Sequence, residues 1–296
     1  MLPSGKILIA GGFSNNSKSG STAALNTAEI YDSGNGTFIA TDNNMTDPRA
    51  FHTATLLANG KVLLDSGLSD NTGNLSMTAD LFDPNAGTHG VFTVSTGTPG
   101  TRAAAVSAIF PSGALAGQVL ITGGDICTGT AEVCSSTFSD VYDPVKDVFS
   151  FVPMNEFRMN HTATLLNDGT VLVAGGINVS ASLSFGTVLG GGALTTFSRS
   201  AEIFDPSSST FTCVGGPGKS GGCAATMTHT RAGHTATLLG DGTVLIAGGF
   251  VSYGRPPFQM GAATNSAETY DPLAKTFKKT MPMHGPRGGH TAVLLQ

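Results

Sequence analysis

The chain has no tryptophan, and only 12% of its 296 residues are charged. So few Lys, Glu and Arg argue against long helices with solvated faces, and the 40 glycines argue for short strands joined by tight turns. No run of basic residues is available to neutralise phosphates and the net charge is a mild -5, which excludes nucleic acid as an expected partner. No apolar stretch reaches the roughly 18 residues of a membrane helix, so no membrane insertion of that kind is expected. Nucleotide-binding loops, nucleophile elbows and metal-binding helix motifs are missing too, and no cofactor or metal is expected. The opening MLPSGKILIAGG has no charged leader or cleavage site and does not read as a secretory signal. It starts inside a repeat, which suggests a segment cut from a longer precursor.

Four cysteines form two local pairs, Cys127 with Cys134 and Cys213 with Cys223, neither at the two-residue gap of a zinc knuckle or redox motif. Each pair would staple one polar loop. Two disulfides are therefore expected, and with them an oxidising, extracellular or periplasmic setting.

What the sequence has in abundance is a repeat. RMNHTATLLNDGTVLVAGG from Arg158 recurs as RAGHTATLLGDGTVLIAGG from Arg231 and RAFHTATLLANGKVLLDSG from Arg49, with a decayed copy from Arg102. Each is followed by a variable stretch, an acidic-aromatic signature (ADLFDP, SDVYDP, AEIFDP, AETYDP) and a closing Phe at 92, 149, 211 or 277. A fifth unit is split, its second half at the start of the chain and its first half, RGGHTAVLL, at the end. Arg-to-Arg spacings of 53, 56, 73 and 56, and 58 across the termini, describe five comparable units. Each unit predicts four strands, A (HTATLL), B (TVLVAGG), C (AEIYD) and D (through the Phe). Asn-Gly or Asp-Gly forms the A–B turn and Asp-Pro the C–D turn. The expected fold is all-β: a single domain over 1–296, a five-bladed β-propeller of four-stranded blades. Its first blade is split between 1–45 and 287–296, and the C-terminal strand completes that N-terminal blade and closes the ring.

The order Arg, His-Thr-Ala, Asp-Gly, Gly-Gly, Tyr-Asp-Pro resembles bacterial kelch repeats, related to the galactose oxidase propeller, over essentially the whole chain. Strand D carries Phe where kelch repeats usually have Trp, and five units are fewer than the usual six or seven. The Tyr that precedes a copper-ligating His in galactose oxidase-like enzymes is replaced by Phe51, Asn160, Gly233 and Gly289, so radical copper chemistry is not implied.

B–C connections (13–27, 68–78, 125–138, 177–200, 250–266) and the D–A connection 212–230 are long and dissimilar, and they share one face. Loops displayed by a rigid scaffold make that face the expected binding surface. Tyr253, Arg255 and Phe258, with Phe185, decorate its two longest loops. Arg49, Arg102, Arg158, Arg231 and Arg287 enter strand A from the same face; the kelch resemblance makes them ligand-binding candidates. Each also has a matching acid at the start of strand C (Glu29, Asp80, Asp140, Glu202, Glu268), the pattern of one structural ion pair per blade. His52, His161, His234 and His290 recur at one position, as a repeated hydrogen-bonding device would. Asp65, Ser66, Ala105 and Asp125 break the symmetry. Asp65 and Asp125 on neighbouring blades are the candidate catalytic carboxylates of a channel site. The expected function is a binding module for a protein or glycan. A hydrolase, lyase or epimerase with a central-channel site, and an adhesive module of a larger surface protein, are the alternatives.

Overall fold

A computed structural model describes residues 1–16, 21–124, 137–179, 195–218, 222–224, 226–251 and 262–295, and all regular structure among them is strand. In chain order these are β1 (Ile7–Ala10), β2 (Phe13–Asn16), β3 (Ser21–Ala24), β4 (Ala28–Asp32) and β5 (Thr37–Ala40). Next come β6 (Thr53–Leu56), β7 (Val62–Asp65), β8 (Asp80–Asp83) and β9 (Val91–Val94), then β10 (Val106–Ile109), β11 (Val119–Thr122), β12 (Phe138–Asp143) and β13 (Val148–Pro153). They are followed by β14 (Thr162–Leu165), β15 (Val171–Ala174), β16 (Ile177–Val179), β17 (Thr195–Phe197), β18 (Ala201–Asp205) and β19 (Thr210–Cys213). The last four are β20 (Thr235–Leu238), β21 (Val244–Ala247), β22 (Ala267–Asp271) and β23 (Thr276–Lys279).

Four antiparallel sheets, β6–β9, β10–β13, β14-β15-β18-β19 and β20–β23, are complete blades II to V, and β1-β4-β5 is a three-stranded blade I. Two hairpins, β2–β3 and β16–β17, stand inside long B–C connections that carry no strand signal in the sequence.

Strand B explains the packing. Its residues are apolar without alternation because both of its faces are buried. In blade II, Val62 and Leu64 face blade I with Phe82 and Phe92, while Leu63 faces Val119, Ile121 and Tyr142 of blade III. The same rule packs Leu120 of blade III on Val171, Val173 and Phe204 of blade IV, and Leu172 on Val244, Ile246 and Tyr270 of blade V. Each seam also contains a strand C–strand D aromatic pair: Phe82–Phe92 at 4.8 Å, Tyr142–Phe149 at 4.6 Å, Phe204–Phe211 at 5.0 Å and Tyr270–Phe277 at 4.9 Å. These pairs, worth about 0.5–1.5 kcal/mol each beyond their area, fill the seams in a chain without tryptophan.

The closing strand behaves differently from the sequence expectation. The C-terminal segment docks on blade V as a strand A should, with Gly249 N donating to Arg287 O at 2.8 Å, but 291–295 form no strand and β1 pairs only with β4. Among the described residues no apolar cluster joins blade V to blade I. The blade I face that would receive it leaves Ile7 43% and Ile9 47% exposed. The angle between blades is set by the four filled seams, and the strand that starts on blade V does not reach β1. Glu29 and Arg287 are both exposed, so the fifth Arg–acid pair is not made.

This difference is measurable. Glu268→Ala leaves Arg231 buried without its counter-charge and should cost about 3–5 kcal/mol in urea unfolding. Glu29→Ala should change stability by less than about 0.5 kcal/mol. A large loss at Glu29 would show that the fifth pair forms in solution.

Candidate ligand-binding face around the axis

At the inner end of each complete blade the recurring arginine is buried and bonded within its own unit. Arg49 meets Asp80 at 2.6 Å, Arg158 meets Glu202 at 3.1 Å, Arg231 meets Glu268 at 2.7 Å, and Arg102 pairs with Asp140. In three of the blades Nη1 of the guanidinium reaches carbonyls: Arg49 donates to Ser66 O and Thr78 O, Arg158 to Gly175 O and Ser200 O, and Arg231 to Gly248 O. Four of the five arginines named as ligand candidates therefore sit inside the blades, with their terminal nitrogens engaged, while Nε of Arg49 and of Arg231 is buried without a partner. Arg287 alone of the five is exposed.

The histidines form a belt. Nε2 of His161 meets Thr122 Oγ1 at 2.8 Å, that of His234 meets Thr162 Oγ1 at 3.0 Å, and that of His290 meets Thr235 Oγ1 at 3.2 Å, each on the preceding blade. Burial first, and the neighbouring arginine second, push His161 and His234 down to about 3 and His52 to about 4. The imidazoles are neutral seam elements, and those of His161, His234 and His290 are each tied by Nε2 to the preceding blade. The turn beneath must let them approach. Gly175 has φ 63°, and a β-carbon there would lie 2.6 Å from Arg231 O and 2.8 Å from His234.

Seam II/III breaks this belt at three stations at once. Ala105 stands where the other units have His, Ser66 holds φ 67° where they have Gly, and Asp65 stands where they have Ala or Thr. Ser66 Oγ donates to Asp65 Oδ2 at 2.8 Å, while Asp65 Oδ1 is buried without a partner. Burial pushes the Asp65 carboxyl up to about 6, opposed by Arg102 and by the Ser66 bond. Asp65 thus lies within the seam rather than in the channel where the sequence suggests a catalytic acid. Its side chain follows the strand alternation opposite Thr53, between two apolar sheets. Its proposed companion Asp125 lies outside the described residues.

At the axis mouth, on the long-connection face, the residue before each His station is left-handed: Phe51, Ala104, Asn160, Gly233 and Gly289 have φ 55°, 57°, 52°, 59° and 65°. They are strung together by backbone bonds, Ala104 N to Phe51 O at 3.0 Å, Gly233 N to Asn160 O at 2.9 Å and Gly289 N to Gly233 O at 2.8 Å. For a side chain such as Phe this backbone costs roughly 1–2 kcal/mol. Phe51 is nevertheless 55% exposed, edge-on to Phe13 with ring centroids 5.7 Å apart. Sequence reasoning passed over this pair. The signal was available, as a Phe at a station where two other units have Gly.

Of the remaining candidates, Tyr253, Arg255, Phe258 and Phe185 lie outside the described residues, as do Cys127 and Cys134. The disulfide Cys213–Cys223 is formed. Its loop docks on the arginine layer: Cys223 N donates to Glu156 Oε1 at 2.7 Å, and Glu156 Oε2 accepts from Ser200 Oγ and lies 3.2 Å from Arg158. The short-turn face holds an open groove of about 540 Å³ between blades III and IV. Its carboxylates Asp168 and Asp205 accept bonds from their own turns, at Thr170 and Ser207.

Sheets of four antiparallel strands, packed face to face in chain order with strand A innermost, define a β-propeller. No family model matches the chain, and no curated protein matches it. Among solved structures it is similar to the one described as "Structure of YjhT", with TM-score 0.64 and 13% identity over 95% of this chain and 82% of that one. That likeness carries the fold alone.

Asp65 yields a prediction with a defined sign. A carboxyl raised in the folded state stabilises it only while protonated, so the ionised side chain is a liability that develops between pH 4 and pH 6. Asp65→Ala should match wild-type stability near pH 4 and exceed it by about 3 kcal/mol above pH 6. Measuring the difference between the two proteins by urea unfolding across that range cancels the contribution of the buried histidines. A difference that does not vary with pH would contradict the assignment.

Proposed function

We propose that this chain is a kelch-type, extracytoplasmic binding module that recognises a glycan or a protein through the face bearing the long B–C and D–A connections. The observation that carries this reading is where asymmetry falls. Repeating residues are committed to the seams, whereas the strained, half-exposed Phe51 and the extra hairpins all belong to the long-connection side. The disulfide on the same side supports an oxidising compartment. A channel enzyme would need two carboxylates facing the axis, and the burial of Asp65 in a seam weighs against it.

A glycan and peptide array of the purified chain, run beside a Tyr253→Ala, Arg255→Ala double variant, tests the reading. Binding by the wild type that falls at least about tenfold in the variant is expected, as for the loss of central aromatic and Arg contacts. No binding to any array member would remove the binding-module reading.

A further inference from the structure

We propose that the groove between blades III and IV on the short-turn face is a docking site for a basic segment of a partner protein, a second site independent of the binding face above. The repeat shows what is unusual there. The A–B turn spans three residues in four units (3–5, 58–60, 167–169 and 240–242) but seven in blade III (111–117), counted between residues bonded as Leu57 N is to Lys61 O and Phe110 N to Gln118 O. The added residues are ordered. Leu115 packs on the apolar cluster of Phe110 and Leu120, and Gly117 N donates to Phe110 O at 2.7 Å. Pro111 and Ala114 of this turn form one wall of the 540 Å³ cavity, which Leu165, Leu238 and the carboxylates Asp168 and Asp205 also line. A cavity of that volume takes side chains of a bound segment rather than a single ion.

Charge selects the occupant. At the end of strand C, Asp32 and Asp83 meet the lysines that precede strand B, Lys6 at 3.0 Å and Lys61 at 3.2 Å. In blade III, Asp143 meets Lys146 at 3.0 Å. Asp205 holds the same station in blade IV, but Thr170 stands where blades I and II have the lysine. Blade V makes the same exchange at Thr243 and Asp271, yet the turn beside it, 167–169, is short. Asp205 and Asp168 accept bonds from Ser207 and Thr170, neutral donors of their own turns, and among the described residues no Lys, Arg or His lines the groove. The Ser207 bonds hold the Asp205 carboxyl below the usual carboxylate range, so it carries its charge. A partner's lysine or arginine would supply the cation that strand B supplies in blades I and II, with its stem along Leu165 and Leu238. Asp168 is exposed, so the contact is modest and weakened by salt.

The test uses the whole chain and fluorescein-labelled pentapeptides that alternate alanine with arginine, lysine or glutamate, followed by anisotropy at low ionic strength. Wild type should bind the arginine or the lysine peptide with a Kd below about 1 mM, and the glutamate peptide not at all. Asp205→Asn keeps an acceptor for Ser207 but loses the charge, and should weaken binding at least about fivefold. Thr170→Lys rebuilds the lysine of blades I and II on Asp205. It should abolish binding without lowering the urea midpoint, and it serves if Asp205→Asn does not fold. The Tyr253→Ala, Arg255→Ala variant of the opposite face should bind the basic peptides as wild type does, so this site and the long-connection face succeed or fail separately. Equal binding by wild type and Thr170→Lys would overturn the proposal. So would binding of the glutamate peptide as tightly as the basic ones, or of no basic peptide. Calorimetric binding of calcium chloride that Asp205→Asn removes, without peptide binding, would put a metal ion in place of the partner and overturn it too.

Discussion

One arginine per unit ties the architecture together, inside the blade through its side chain and between blades through its backbone. The guanidinium reaches the acid of strand C and, in three blades, the carbonyl of its own glycine turn. The arginine's own carbonyl accepts the N–H of the second turn glycine of the preceding blade. That bond is made five times, at Gly12–Arg49, Gly67–Arg102, Gly124–Arg158, Gly176–Arg231 and Gly249–Arg287. A planar fork with five donors suits the task, because strand start, strand end and turn must be held at fixed angles at once. A lysine could satisfy the acid but not the carbonyls. The repeated Arg is therefore a geometric device, and burying it adds specificity of arrangement more than net stability.

From this constraint the rest follows in order. The arginine fixes the turn, the turn requires its first residue to be left-handed, and the left-handed turn opens the space into which the next blade's imidazole fits. Strand B, held between two such stations, is buried on both faces and has no polar alternation. The fifth station shows what happens when only half of the device is present. The backbone bond Gly249–Arg287 forms, but the guanidinium and Glu29 remain exposed, and the blade I face beside them keeps its apolar residues in solvent.

The sequence made the propeller legible because it repeats its punctuation: Asn-Gly and Asp-Gly turns, double glycines and Asp-Pro turns recur at intervals that leave room for four strands and little else. The matched Arg and acid positions likewise pointed to ion pairs. Other features resisted for physical reasons. The hairpins β2–β3 and β16–β17 are polar and Gly- or Ser-flanked, so they read as loops. Arg287–Leu295 has the strand A pattern, and pattern alone carries no information about whether a partner strand lies within reach. Asp65 is visible as a departure from the repeat, but whether an odd carboxylate faces a channel or a seam depends on the alternation of β7 against both neighbours. Phe51 looked like one variable residue among several, and its meaning depends on a dihedral angle.

Departures from a symmetric scaffold differ in what they demand of it. Exchanging Ala for Thr at residue 122 is benign, because Thr122 joins the histidine belt. Asp65 and Phe51 are of another kind, since each works against the folded state, one by an unpartnered buried oxygen and one by a strained backbone. Both sit at the inner end of blade II, separated by two positions along the ladder, roughly 7 Å of strand. Ala105, at the seam of Asp65, removes the imidazole that would otherwise stand between the blades. The two exchanges belong to one blade but to its two sides, Asp65 in the seam towards blade III and Phe51 with its ring against Phe13 of blade I. A fold held by repeated devices can tolerate one irregular station, because the remaining seams keep the blades in register. That tolerance lets blade II carry both exchanges while the repeat elsewhere remains intact.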